Sequence, residues 1–302
     1  MAIQQVRALL NGTWYTLTLN ESTGKYEATL TAPGATSYNQ AGGYYNVTVE
    51  ATNTAGTTGS ADASILDGLK LVVKETVAPV IAILSPSTGA YVANSKQPVV
   101  FNITDESGGS GINLSSLVVK QDGTAVGSGT ISTTAITNGY SVTYTPSTAL
   151  SDGPHTVTVD VSDNDGNAAA QKSTNYTVDT VPPTLNITAP AEGLVTANAA
   201  LNVTGATNDA TSSPVTITIK LNGTDQGTVS IGTDGSFSKS VTLAEGENTL
   251  IITATDAAGK TSSVTRTVTL DSSVPKVTGA TIAPNPADTG ETVVISVTIS
   301  EG

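Results

Sequence analysis

The sequence predicts an all-β chain folded as a string of small antiparallel sandwiches. Three observations carry this. Apolar and polar residues alternate with period two over many short stretches, the pattern of half-buried strands. Turn residues punctuate those stretches throughout, with 29 Gly and 13 Pro in 302 residues. Thr, Ser, Val, Ala and Gly dominate a chain with only 12% charged and 4% aromatic residues, and β-branched Thr and Val favour pleated surfaces.

The strand and turn signals repeat. "VTVEATNTAGTT", "VTVDVSDNDGNAA" and "LIITATDAAGKTSS" each run an alternating strand into Asn or Asp, two further residues and a glycine: Gly56, Gly166 and Gly259. Asn, Asp and Gly tolerate positive φ, so each motif predicts a hairpin turn between two strands. A proline link follows each: "VAPV", "VPPT" and "SVPK". Gly166 to Pro182 and Gly259 to Pro275 both span 16 residues, and Gly56 to Pro79 spans 23. After each link comes an alternating strand ending in proline ("VIAILSP", "TLNITAP", "VTGATIAP"), then a second strand ("PVVFNITD", "AALNVTGA", "ETVVISVTIS"). Units of about 100 residues with this density of turns fit immunoglobulin-like sandwiches. The boundaries are 1–76, 77–180, 181–273 and a final piece, 274–302. Proline fixes φ and restricts its predecessor, so the short links predict an elongated array.

The first and last pieces are incomplete in complementary ways. "LLNGTWYTLTLNESTGKY" aligns with "KLNGTDQGTVSIGTDGSF", 12 residues separating Gly12 from Gly24 and Gly223 from Gly235. Val6, Ala8 and Leu10 then fall on Ile217, Ile219 and Leu221, and Tyr26 falls on Phe237. The first unit therefore begins at its third strand, with no equivalent of "TLNITAP" or "AALNVTGA". Residues 274–302 read as those two opening strands alone. Val293, Ile295, Val297 and Ile299 alternate on one face, matching Val99, Phe101 and Ile103. With Ile282, they form a candidate surface for completing, in another copy, a first unit that lacks its opening strands and so has an open core beside Val6, Ala8 and Leu10. The alternative is that both ends are cuts within a longer array.

The motifs "VSDNDGNAA", "VDTVPPTLNITAPAEG" and "TATDAAGKTSSVTRTVTLD" resemble the tandem immunoglobulin-like repeats of bacteria and their phages, and "TDESGGSGI" is similar to a variant of the same repeats. "VRALLNGTWYTLTLNESTGKYEATLTAP" resembles the start of repeat proteins encoded by phages and prophages of Gram-positive bacteria. The resemblance implies a structural or adhesive role: a component displayed on a phage virion, a stretch of a secreted surface adhesin, or an accessory segment of a glycan-degrading enzyme. It implies location on a virion or cell surface. The partners it implies are other copies, neighbouring virion or surface proteins, or a host glycan or cell-surface ligand. Some repeat adhesins bind calcium at domain junctions, so Ca2+ is the one ion it brings into view.

The residues point away from catalysis. Cysteine is absent, which removes disulfides and thiolate chemistry. His155, the only histidine, precedes an alternating strand without the positioned partners of a triad or zinc site, and reads as structural. No nucleophile elbow, phosphate loop or zinc-helix motif occurs. The net charge of −13, with 12 scattered Lys and Arg in total, argues against a phosphate-neutralising nucleic-acid surface. No apolar run nears the ~20 residues of a membrane span, and "MAIQQVRALL" does not read as a signal peptide. Asp163-Asn164-Asp165-Gly166-Asn167 has a calcium-loop look, but the bidentate Glu that completes such a loop is missing, and a hairpin turn is the better reading. Six of the twelve aromatics lie in the first 45 residues. Tyr26 is expected in the core by its alignment with Phe237, whereas Trp14, Tyr38 and Tyr44 suit either a core or a binding surface. Nine Asn-x-Ser/Thr triplets follow from a Thr-rich composition and imply no glycosylation.

Overall fold

A computed structural model describes residues 2–301. The chain divides into two compact units, residues 1–90 with 95–177, and 91–94 with 178–302. The fold is almost entirely β. Strands β1 (Ile3–Leu10), β2 (Thr13–Asn20), β3 (Lys25–Glu27), β4 (Tyr45–Asn46), β5 (Thr48–Asn53), β6 (Thr58–Ala61) and β7 (Lys70–Leu71) form the first domain. Its main sheet runs β3-β2-β1-β5-β6, and β4 pairs with β7 separately. The second domain holds β8 (Val80–Ser85), β9 (Ala90–Val92), β10 (Val99–Thr104), β11 (Ile112–Gln121), β12 (Thr124–Ala125), β13 (Ile131–Ile136), β14 (Gly139–Tyr144), β15 (Gly153–Asp163) and β16 (Lys172–Val178). One of its sheets runs β13-β14-β10-β8, and facing it is a sheet containing β12-β11-β15-β16.

The third domain holds β17 (Thr184–Ala189), β18 (Leu194–Thr196), β19 (Ala200–Asn208), β20 (Thr216–Leu221), β21 (Thr224–Asp225), β22 (Ser236–Thr242), β23 (Gly246–Thr255) and β24 (Thr261–Leu270). Its sheets are β17-β19-β22 and β18-β24-β23-β20-β21, with β18 running parallel to β24. The final pair, β25 (Lys276–Ala283) and β26 (Val294–Ser300), forms a two-stranded antiparallel sheet.

Alternation produces the core directly. In β20 the buried residues are Ile217, Ile219 and Leu221; in β10 they are Val99, Phe101 and Ile103. In the third domain Ile217, Ile219 and Leu221 join Val203, Phe237, Leu250, Ile252 and Val268 in one apolar cluster. A two-residue turn with positive φ at both positions leaves the third-strand equivalent in every domain: Asn11-Gly12, Asp122-Gly123 and Asn222-Gly223. This is the turn whose twist matches a β-hairpin, and it fixes the equivalence of β1, β11 and β20.

The first domain departs from expectation in two ways. It has no counterpart of the strand pairs β8–β10 and β17–β19 among the described residues, yet Val6, Ala8 and Leu10 are buried rather than facing an open core. Leu10 shares a groove of about 380 Å3 with Leu30, Val47, Leu69 and Leu71. Tyr26 is only half-buried, whereas Phe237 is buried. Phe237 lies on β22, which pairs with β19. Without a β19 equivalent, the strand of Tyr26 pairs back onto β2 instead.

Candidate functional site

Two groups of carboxylates occupy equivalent positions in successive repeats. Each draws on an acid that opens a proline link and an acid that follows the domain's second strand. In the first, Glu75 stands in the link between β7 and β8, and Asp105 and Glu106 follow β10. In the second, Asp179 follows β16, Asp209 follows β19, and Asp256 ends β23 at the hairpin turn. Within each group, one carboxylate oxygen from every residue lies within 4.8 Å of the others.

The first group is closely framed. Glu75 Oε1 accepts from the Ser110 amide, and Asp105 Oδ2 accepts from the Gly111 amide at 2.7 Å. Asp105 Oδ1, Glu75 Oε2 and Glu106 Oε2 are buried without a hydrogen-bond partner, and Asp105 as a whole is 8% exposed. Both carboxylates close over Gly109: a Cβ there would lie 2.7 Å from Asp105 Oδ2 and 2.8 Å from Glu106 Oε1. Only the missing side chain lets them approach. Burial pushes the Asp105 carboxyl above its ordinary range; the Gly111 amide pulls it back, and the charges of Glu75, Asp163 and Asp165 push it further up. Beside the group opens a cavity of about 450 Å3, lined in part by Asn39, Asp105, Glu106 and Asn164.

In the second group Asp179 is fully buried. Its Oδ1 accepts from the Val181 amide at 3.1 Å and its Oδ2 from the buried Ser212 hydroxyl. Asp209 Oδ1 accepts from the amides of Thr211 and Ser212, each at 2.8 Å. Asp256 Oδ1 accepts from the Lys260 amide at 2.8 Å, while Oδ2 is buried without a partner in a residue 6% exposed. No carboxylate of either group forms an ion pair among the described residues.

The sequence motif 163–167 is arranged differently from a calcium loop. Asp163 spends its carboxylate on its own turn, accepting from the amides of Gly166 at 2.6 Å and Asn167 at 2.8 Å and from Asn167 Nδ2 at 2.7 Å. Asp165 accepts from Thr36 Oγ1 at 2.5 Å and the Glu75 amide at 3.1 Å, tying the first domain's loop and link to the second domain. The clusters themselves escaped sequence reasoning, because their members lie far apart in the chain. A usable signal was the acid opening each link, at Glu75, Asp179 and Asp271, together with the acid after each second strand.

The other singled-out residues find structural places. His155 is 8% exposed, with Nδ1 2.7 Å from Asp122 Oδ2 and Nε2 2.8 Å from the Ser151 carbonyl. Both ring nitrogens face acceptors, so the doubly protonated imidazolium satisfies both contacts and a neutral tautomer only one. Trp14 is 39% exposed on the outer face of the first sheet. The Arg7 guanidinium stacks 4.1 Å from its ring centroid and donates twice to Glu50 Oε2. Tyr38 is exposed, and Lys70 lies 5.2 Å over the ring of half-buried Tyr44. Of the proposed interface residues, Val6, Ala8 and Leu10 are buried within the first domain, while Ile282, Val293, Ile295, Val297 and Ile299 are all exposed on or beside β25–β26.

Two family models match. Residues 90–180 match the bacterial Ig-like domain, and residues 183–272 match domain B of glucodextranase. No curated protein matches the chain. Among solved structures, the fibronectin(III)-like modules of Clostridium thermocellum CbhA are 16% identical, with 63% of this chain and 94% of that one covered at a TM-score of 0.42. The tetra-tandem repeat from the extending region of a large adhesion protein is 20% identical, with 98% and 79% covered at 0.33. Domains 1–5 of Sidekick-1 are 14% identical at 0.38; this chain spans 60% of that length. The paired antiparallel sheets make the fold one of tandem immunoglobulin-like sandwiches, with residues 90–180 similar to the bacterial Ig-like domain and residues 183–272 to glucodextranase domain B.

Proposed function

We propose that the chain is a non-catalytic structural and adhesive element displayed outside the cell, on a virion or a bacterial surface, and that hairpin β25–β26 of one copy completes the first domain of the next. The hairpin carries this reading. It pairs antiparallel, as β8–β10 and β17–β19 do. Cross-strand partners Ile282 and Ile295 share a face with Val297 and Ile299. These four residues are 49–65% exposed, while Phe101 and Ile103 of β10 are sealed at 0%. Among the described residues the first domain has no such pair, and the apolar groove beside Leu10 supports the reading by offering a seat for one. Main-chain pairing with side-chain burial is the strand-addition mode of recognition.

The test is mass in solution across a concentration series, for the full chain, for a chain lacking residues 276–302, and for Ile295→Asp with Val297→Asp. The full chain should associate and both variants should remain single copies. Equal masses for all three would sink the proposal.

A second reading is favoured by the match of residues 183–272 to domain B of glucodextranase: an accessory segment beside a glycan-acting catalytic domain. It predicts retardation of the chain in polysaccharide-containing gels, unaffected by loss of the hairpin.

A further inference from the structure

We infer that the outer edge of β26 pairs antiparallel with the outer edge of β3 in a second copy, with Ile295 opposite Tyr26 and Gly24 as the residue that lets the two strands meet. This pairing rests on the assembly proposed above and specifies which edges join and in what register.

The two edges are complementary vacancies. In the complete sandwiches the second strand is flanked on both sides: β10 lies between β8 and β14, and β19 between β17 and β22. Among the described residues β26 has only β25 beside it, so its other edge presents an unpaired row of amides and carbonyls. The counterpart of β14 and β22 in the first domain is β3, by the alignment of Tyr26 with Phe237. β14 lies between β13 and β10, whereas β3 ends its sheet and pairs with β2 alone. It is also short, with three residues against six in β14 and seven in β22. Each edge lacks the neighbour that the other supplies.

The complete domains fix the register. Ser85, Ala189 and Ala283 each precede the proline that closes the opening strand, and they lie opposite Val100, Thr204 and Val294. One residue on, Phe101 faces Val142 and Gly205 faces Phe237 across the next pair of strands. In the hairpin that next residue is Ile295, and the counterpart of Phe237 is Tyr26. The same register sets Val293 opposite Ala28, which lines the groove beside Leu10. Val99 and Val203, which hold the place of Val293, are sealed at 0% exposure, and Val293 is 42% exposed. Lys25 falls opposite Ser296 and Glu27 opposite Val294, so no like charges meet.

Glycine supplies independent support. A Cβ on Gly139 would lie 2.0 Å from the Ile103 carbonyl oxygen, and one on Gly235 would lie 2.1 Å from the Thr207 carbonyl oxygen. Ile103 and Thr207 hold the place of Val297, each standing as far beyond Val100 or Thr204 as Val297 stands beyond Val294. The first domain keeps a glycine in that turn, Gly24, yet a Cβ there meets no atom within 4 Å in the single chain. The turn itself asks only for its positive φ of 68°, which Asn also adopts. The bare backbone is what an incoming Val297 carbonyl needs.

The chain has no cysteine, so introduced thiols report the contact directly. The Thr207 amide donates to the Gly235 carbonyl at 2.9 Å, which makes the adjoining pair, Ala206 and Ser236, a non-hydrogen-bonded one with Cα atoms about 4.5 Å apart. Ser296 and Lys25 take those places, within reach of a disulfide. The test mixes full-length Lys25→Cys with isotope-labelled full-length Ser296→Cys under mild oxidation and weighs the products. Mixed disulfide dimers are expected in about tenfold excess over either self-dimer. Lys25→Cys mixed with Val294→Cys sets the Cα atoms diagonally, about 7–8 Å apart, and should bridge about tenfold more slowly. Gly24→Asn should leave first-domain melting in dilute solution close to the parent's and weaken association about tenfold. Should that variant fail to fold, the thiol pairs decide alone. Copies that associate but bridge no faster through Lys25→Cys and Ser296→Cys than through the shifted pair, or that associate undiminished with Gly24→Asn, overturn the pairing and leave the assembly standing. Copies that stay single at every concentration overturn both.

Discussion

At the scale of single residues, His155 shows how a group suspected of chemistry becomes a fastener. Burial alone would lower its pKa, but the Ser151 carbonyl and the Asp122 carboxylate outweigh it and hold it above 6.5. The same burial would raise Asp122, and the Thr156 amide with His155 outweighs it, leaving that carboxyl below its ordinary range. A raised folded pKa stabilises in full below about 6.5. The benefit is lost as pH climbs through the folded value. The Asp122 contribution is present above its unfolded value of 3.8 and fades as pH falls below it. Melting temperature measured from pH 5.5 to 8.5 should therefore decline with a component that His155→Asn lacks. Arg7 offers a second residue-scale test. Its partly exposed pair with Glu50 and its stacking on Trp14 contribute about 1 kcal/mol together. Trp14 is the only tryptophan, so Arg7→Ala should both lower first-domain stability by that amount and shift the emission of the chain.

At the scale of elements, the strands were legible and the pairing partly so. Period-two alternation located β10, β15, β20 and β23, because burial on one face only leaves that imprint. The spacing of Gly12 from Gly24 and of Gly223 from Gly235 aligned the third strands of the first and third units, and the structure adds Asp122-Gly123 as the equivalent turn of the second. Tyr26 was misjudged: alignment with Phe237 transfers a position in the chain, and only the partner strand determines which face is covered. The carboxylate groups were invisible for a related reason, since Glu75 and Asp105 converge across 30 residues without any local spacing. Gly139 gives an element-scale prediction. A Cβ there would lie 2.0 Å from the Ile103 carbonyl, where β14 lies against β10. Gly139→Ala should force the two strands apart and lower the second domain's melting transition. An unshifted calorimetric trace would contradict the close approach.

At the scale of the whole molecule, the third domain seals its own apolar residues, and damage there should stay local. Leu250 is fully buried in a cluster drawn entirely from the third domain. Leu250→Ala should cost about 2–5 kcal/mol there, while the fluorescence transition of Trp14, in the first domain, stays where it was. A chain that behaved as one cooperative block would instead lose both transitions together.

The placement of the link acids bears on how such repeats can be exchanged. A sandwich defined by its sheets begins at Thr184, and the family match begins at 183, yet Asp179, which receives the hydroxyl of buried Ser212, lies upstream of both. Glu75 stands in the same relation to the second domain. A graft cut at the prolines would carry every strand and leave its own acid behind, attached to the wrong neighbour. The smallest transferable module is thus a sandwich plus the last acid of its predecessor's tail, and recombination that respects strand boundaries alone would sever it.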